Sequence, residues 1–249
     1  MRIYDRSWLE PQKVWQIRNP GSLERIMKIN RTENFYSKRW STLIRDPRGS
    51  ILYTLDNLLQ GTQMLMDSAW CKILALMWGV ELGPSCEFYG NIHFRRYPGS
   101  KIVIGKNCRF RSTFRSNMIG INRPCGISTY HKNAEIQMGN DCGFSGVIIG
   151  AAKSIVLGNH VLGGANVTIT DFDWHNINPL ERNQGGFEQA EPVRIGDNVW
   201  LGLNSLILKG VEIGKNSVIG ANSVVTTSIP ANVIAGGAPA KILKSLDEH

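Results

Sequence analysis

Apolar residues recur every sixth position through the C-terminal half of the chain. From Ile195 the sequence reads IGDNVW, LGLNSL, ILKGVE, IGKNSV, IGANSV and VTTSIP. The first position of each hexad is aliphatic: Ile195, Leu201, Ile207, Ile213, Ile219 and Val225. The second is glycine at Gly196, Gly202, Gly214 and Gly220, and the fifth is small or branched at Val199, Ser205, Val211, Ser217, Ser223 and Ile229. Earlier copies are IGKNCR from Ile104, MGNDCG from Met138, and LGNHVL with GGANVT from Leu157. A helix does not accept glycine every six residues. Six residues do make one short strand and one corner, and three such strands close a triangular coil stacked about 4.8 Å above the next. The pattern therefore predicts an all-β solenoid, a left-handed parallel β-helix. Positions 1 and 5 should fill its interior, and the glycine should relieve a crowded turn.

Before the repeats the period changes. Ile51, Leu55, Leu58, Leu59, Leu65, Ala69, Trp70, Ile73, Leu74 and Met77 are spaced by threes and fours, which predicts helix. Gly61 should break it in two, and Gly79, Gly83 and Pro84 should end it. The helical pair should cap one end of the solenoid, because an open end exposes core and strand edge. Residues 1–50 show no clean period and predict irregular structure with short helices. The expected organisation is an N-terminal extension over 1–81, a β-helix over 82–230 and a tail over 231–249. The hexads stop at Asp171 and resume at Val193. The interruption, DFDWHNINPLERNQGGFEQAEP, holds Pro179, Gly185, Gly186 and Pro192 and reads as a loop thrown out from one corner. Long loops on compact scaffolds are usually functional.

Composition narrows the class. The chain has 249 residues, 42% of them hydrophobic, with 26 glycines. The first 30 residues carry charge throughout and lack the apolar run of a signal peptide. The apolar stretch from Ile73 to Val80 is far short of the ~20 residues that cross a bilayer. A cytoplasmic protein is expected. Cys71, Cys86, Cys108, Cys125 and Cys142 include no CxxC pair, which suggests neither a disulfide framework nor a zinc site. Charge is uneven: residues 1–132 carry a net +12 and residues 133–249 a net −4. The run from Asn91 to Lys132 has nine basic residues and no acidic one. If residues about 18 apart stack, Arg96 with Arg115, or Arg95 with Arg111, would form a cationic stripe for an anionic acceptor or a lipid surface. The alternative is a solvated basic face. Nothing points to nucleic acid.

The segments NVTITDFDWHNINPLER, PVRIGDNVWLG, IGANSVVTTSIP and AGGAPAKIL resemble the hexapeptide-repeat acyltransferases, within them the maltose, galactoside and nodulation-type sugar O-acetyltransferases. The resemblance covers roughly 82–245. It implies acetyl-CoA as co-substrate, no metal, a homotrimer with a CoA slot between adjacent solenoids, and a glycan or small-molecule acceptor, most readily a surface polysaccharide. It implies that His175 is a general base for the acceptor hydroxyl. Imidazole titrates near neutral pH, which suits that task. Asp173, Asp171 or a backbone carbonyl would hold its tautomer, with Asp173 preferred. It places the oxyanion donor near Gly202 or Leu203 and Trp200 along the pantetheine slot. Ala221, Thr226 and Thr227 would follow the arm, and Lys241 would meet a phosphate. Many relatives carry Lys where this chain has Thr227, which shifts phosphate binding toward Lys241 or Lys244. Sugar-acetylating relatives use an Asn one coil before the His loop, where this chain reads GFSGVIIG, with Ser145 in the neighbourhood. GFSG is not a hydrolase elbow, since Val147 occupies the last glycine position of G-x-S-x-G. His160 should be a corner residue, while His93 and His131 lie in the basic early coils. Competing readings are acylation of an amino-sugar nitrogen, a serine or a xenobiotic hydroxyl, a zinc enzyme like the gamma-type carbonic anhydrases, and a non-catalytic scaffold.

Overall fold

The computed structural model describes residues 43–246, in two units that divide at Asn57 and Leu58. The expectation of short helices over residues 1–50 lies largely outside them. The second unit is a left-handed parallel β-helix of three sheets. In chain order its strands run from β1 (Glu81–Leu82) through β4 (Lys101–Ile104), β8 (Gly143–Ser145), β11 (Leu162–Ala165), β12 (Thr168–Thr170), β13 (Val193–Ile195) and β14 (Trp200–Leu201) to β18 (Val224–Val225). Each joins the strand one coil away, so sheets of six, eight and six strands form the three walls. The last coils have an 18-residue register: Arg194 pairs with Glu212, Trp200 with Val218 and Leu206 with Val224.

The interior is the one the hexads encode. Every first-position aliphatic from Ile195 to Val225 is buried, as is every fifth-position residue from Val199 to Ile229. The fifth-position column continues upward as Val161, Cys142, Cys108 and Cys86, which explains three of the five thiols. The hydrogen bond to Cys142 and burial push the Cys108 thiol up to about 12, so it packs as a neutral side chain. Beside it Phe88, Phe110 and Phe144 stack at centroid separations of 5.3 and 6.2 Å. Gly163 follows in the next coil, where a Cβ would meet the Phe144 ring.

The corners divide two jobs between two positions. The left-handed backbone falls to position 4, with φ near +60° at Asn198, Asn204, Asn216 and Asn222, and at His160 in an earlier coil. His160 is thus a corner residue as expected. Asparagine tolerates this conformation. Its amide also reaches the next coil, giving ladders Asn166–Asn204–Asn222 and Asn198–Asn216–Asn232 at 2.8–3.3 Å. The position-2 glycines serve another purpose: a Cβ on Gly202 would lie 2.5 Å from Ala221 N and 2.7 Å from Ile219 O. The crowding that excludes a side chain comes from the adjacent coil and not from the turn itself.

Two expectations change. The helix, α1 (Pro47–Trp78), runs unbroken through Gly61. A single glycine costs only about 1 kcal/mol in a helix, which neighbouring turns absorb. From residue 58 onward this helix covers the first coil through its smallest side chains, Ser68, Cys71 and Ala75. Ser68 Oγ accepts from Phe88 N at 2.9 Å and Asp67 Oδ2 from Gly90 N at 2.7 Å, so the edge strand β2 (Glu87–Tyr89) has its outer donors satisfied. The basic stripe also dissolves. Early coils carry insertions, so Arg95 lies beside Ser128, 33 residues on. Arg96 donates to Trp78 O at 2.7 Å and Ser100 O at 2.8 Å, closing the helix end. Lys101 pairs with Glu81, Arg109 with Glu87, and Arg111 covers the Tyr89 ring. Arg123 donates to Asn166 O at 2.6 Å and Thr168 Oγ1 at 2.7 Å. Five of the nine basic side chains of the run thus find partners on neighbouring coils and carbonyls.

Two glycine substitutions should separate with opposite sign. Gly202→Ala should destabilise by roughly 2–3 kcal/mol, because backbone atoms on the next coil must move. Gly61→Ala, with nothing within 4 Å of a new Cβ, should stabilise by about 0.5–1 kcal/mol. Urea unfolding midpoints measure both.

Candidate active site

The 171–192 excursion leaves the corner between β12 and β13 and holds three short-range anchors. Asp171 is fully buried, and its carboxylate accepts from the N–H groups of Ala152 at 2.7 Å, Lys153 at 2.8 Å and Ser154 at 2.6 Å. Burial pushes its pKa above the ordinary carboxylate range while the three donors pull the other way. Phe172, Trp174 and Phe187 of the loop close around Tyr130, with centroids 4.9–6.5 Å apart. Ala152 and Ala190 complete this second, smaller core. Asp173 Oδ2 takes a 2.6 Å ion pair from Lys209, one coil below.

These anchors present His175 on the exposed face of the loop. Its Nδ1 lies 3.2 Å from Arg182 O. A carbonyl only accepts, so this contact requires a proton on Nδ1 and leaves the Nε2 lone pair free. Of the alternatives open in the sequence, the backbone carbonyl is the group beside the ring. Asp173 is not: its carboxylate is turned to Lys209 and fixes the loop. Asp171 fixes the loop base. Sequence reasoning missed Lys209, Arg182 and the aromatic cluster. Lys209 stands at the third hexad position, as Asp197, Leu203 and Lys215 do, so the repeat does not mark it, and its partner is 36 residues away. The aromatics were visible only as scattered residues.

The other candidates occupy a different corner. Gly202 N–H is spent on Ile219 O at 2.8 Å in the coil ladder. Leu203 N–H has no partner among the described residues, so of the two it is the one available to a developing anion. Ala221 lies beneath it, exposed, on the corner between the second and third walls. Trp200 stands outward on β14, exposed beside Leu162. Lys241, also exposed, sits in the C-terminal hairpin of β19 (Val233–Gly237) and β20 (Ala240–Ser245), opposite Gly236. Thr226 and Thr227 are exposed but lie on the corner of the His175 loop, two coils further along. One chain therefore brings His175 and Asp173 together on one corner, and Leu203 and Ala221 on the next. It does not gather all of them at one point. Ser145 is buried, and its Oγ accepts from Asn117 Nδ2 at 3.0 Å, from a second insertion over 112–125. Among the described residues, no group of three His, Cys, Asp or Glu side chains is arranged to hold a metal.

A family model, the hexapeptide repeat of succinyl-transferase, matches residues 192–227. The hexad run of this chain thus resembles that repeat. The chain is 39% identical over 145 residues to the galactoside O-acetyltransferase of Lactococcus lactis, covering 58% of this chain and 63% of the relative. It is 39% identical over 96 residues to the galactoside O-acetyltransferase of Escherichia coli, covering 39% of this chain and 46% of the relative. The chain thus spans between about half and five-eighths of these relatives' length. Among solved structures, AntD, an N-acyltransferase from Bacillus cereus in complex with dTDP-4-amino-4,6-dideoxyglucose and Coenzyme A, superposes with a TM-score of 0.53 at 18% identity. That superposition covers 70% of this chain and 88% of that one and shows a shared fold.

The anchors of the 171–192 loop should be unequal. Asp171→Ala leaves three N–H groups without their acceptor, one buried and two part-buried, and should cost about 2–3 kcal/mol. It should also speed proteolytic cleavage within 171–192. Lys209→Met removes a partly exposed ion pair and should cost at most about 1 kcal/mol. Thermal melts and limited trypsin digestion check the order.

Proposed function

We propose that the protein is an acetyl-CoA-dependent O-acetyltransferase acting on a sugar hydroxyl. The observation that carries this reading is His175, held with Nδ1 toward Arg182 O and Nε2 free, on a loop secured by its own small core. The similarity to galactoside O-acetyltransferases supports the same class. A hydroxyl is a poor nucleophile until a base takes its proton. Nε2 accepts that proton as the acceptor oxygen attacks the thioester carbonyl. The tetrahedral oxyanion meets the Leu203 N–H. Collapse expels the CoA sulfur, which takes the proton back from His175, so no acyl-enzyme forms.

For CoA the chain offers exposed Trp200 and Ala221 along the arm, Thr226 and Thr227 further along, and Lys241 or Lys244 for phosphate charge. Base and slot stand on different corners of one solenoid, which supports a homotrimer whose sites lie between neighbours. Ser145, steadied by Asn117, is the proposed acceptor contact. Surface-polysaccharide synthesis is the biological setting this chemistry suits. With Arg96, Lys101, Arg109, Arg111 and Arg123 engaged in the fold, the run from Asn91 to Lys132 gives little support to an anionic-acceptor stripe, and no helix among the described residues is long and apolar enough to cross a membrane.

The test is thiol release from acetyl-CoA against a panel of sugars. His175→Ala should lower turnover about 10²–10⁴-fold with the melting temperature unchanged. Activity should persist in excess chelator. Full turnover by the alanine variant would remove His175 as base, and loss that zinc restores would favour a metalloenzyme. Turnover confined to amino sugars would move the acceptor from oxygen to nitrogen.

A further inference from the structure

Helix α1 carries two faces, and the apolar one is the face the described residues leave uncovered. Ser68, Cys71 and Ala75 turn toward the first coil. Leu58, Leu59, Leu65, Met66, Trp70, Ile73, Leu76 and Met77 are all about half exposed or more, with Leu65 at 65%, Met66 at 66% and Leu76 at 80%. At about 100° per residue these eight fall within a stripe roughly 140° wide, centred nearly opposite the small residues. A helix of a globular protein normally buries such a stripe.

The spacing of the stripe specifies its partner. Leu55, Thr62, Ala69 and Leu76 form one line at intervals of seven, Ile51, Leu58, Leu65 and Lys72 a second, and Leu52, Leu59, Met66 and Ile73 a third. These are the a, d and e lines of a heptad repeat, the pattern that packs knobs into the holes of another helix. A surface-lying membrane helix instead carries a polar face rich in Lys and Arg. The charged residues of α1 are Arg48, Asp56, Asp67 and Lys72, two of each sign. At roughly 100 Å² per side chain, the eight exposed residues offer about 800 Å², one partner's share of a standard-size stable interface.

We propose that the α1 stripe is a self-association seam, packed in solution against α1 of a second copy of this chain. The inference stands on the helix alone and is independent of the acyl-transfer reading. The described cysteines are all buried, so a thiol placed in the seam is a clean probe. In the full-length protein, Thr62→Cys puts a thiol on the first line, while Asn57→Cys puts one outside the stripe on the same helix. Oxidised with copper–phenanthroline at micromolar concentration, Thr62→Cys should form two-chain product at least about tenfold faster than Asn57→Cys. Adding Leu58→Glu and Leu65→Glu should abolish that product, with far-ultraviolet circular dichroism unchanged. Equal cross-linking at positions 57 and 62 would overturn the seam. So would copies that associate while position 62 stays uncross-linked, since they then meet through the solenoid walls. Flotation with phosphatidylserine vesicles that the double glutamate variant loses would also overturn it, by giving the stripe to lipid.

Discussion

The inter-coil hydrogen-bond ladder governs this molecule. Strands of two to four residues are too short to hold themselves, so each depends on parallel partners one coil above and below. Stacking at ladder distance leaves no room for a side chain at Gly196, Gly202 and Gly214 and sets the corner asparagines at position 4 in the left-handed region. It also makes each interior column a single file, in which Phe144 can keep its ring only because Gly163 yields space. The hexad is the residue-level statement of that geometry. The asparagine ladders add amide bonds to a corner that would otherwise rest on backbone alone.

An excursion from such a scaffold costs the fold little, since β12 and β13 stay in register with their neighbours on both sides of the loop. It must, however, bring its own order. Here a buried carboxylate ties three amides at the loop base, an aromatic cluster gives the loop a core, and an ion pair pins its first turn. His175 is thereby held by a loop with internal structure, and its ring by a carbonyl seven residues on. A base on a slack loop would spend its advantage on conformational freedom.

The solenoid ends raise the opposite problem, because a ladder that stops leaves donors and acceptors open. At the first coil, Asp67 and Ser68 supply acceptors from α1. At the other end β20 turns back antiparallel onto β19. The helix caps through Ser68, Cys71 and Ala75 with Leu74 beside them, which leaves most of its larger apolar side chains exposed.

The sequence by itself determined the solenoid, its inward columns, the excursion and the histidine on it, because a period of six records a constraint that repeats locally. It also marked the helix, though not its orientation: the apolar spacing pointed to a capping face, and the capping fell to Ser68, Cys71 and Ala75. What the tertiary structure alone decided are the pairings between residues far apart in the chain. Asp173 looked like the partner of His175 because it is two residues away, and Lys209 claims it from the next coil. Arg96 and Arg115 looked like a stripe because an 18-residue coil was assumed, and insertions shift the early register to 33. Gly202 and Leu203 were equal candidates for the oxyanion donor in the sequence, and the ladder uses the Gly202 N–H on Ile219 O. In each case the deciding atom comes from the coil above or below, and inter-coil distance is set by the sum of intervening insertions, which no local pattern encodes.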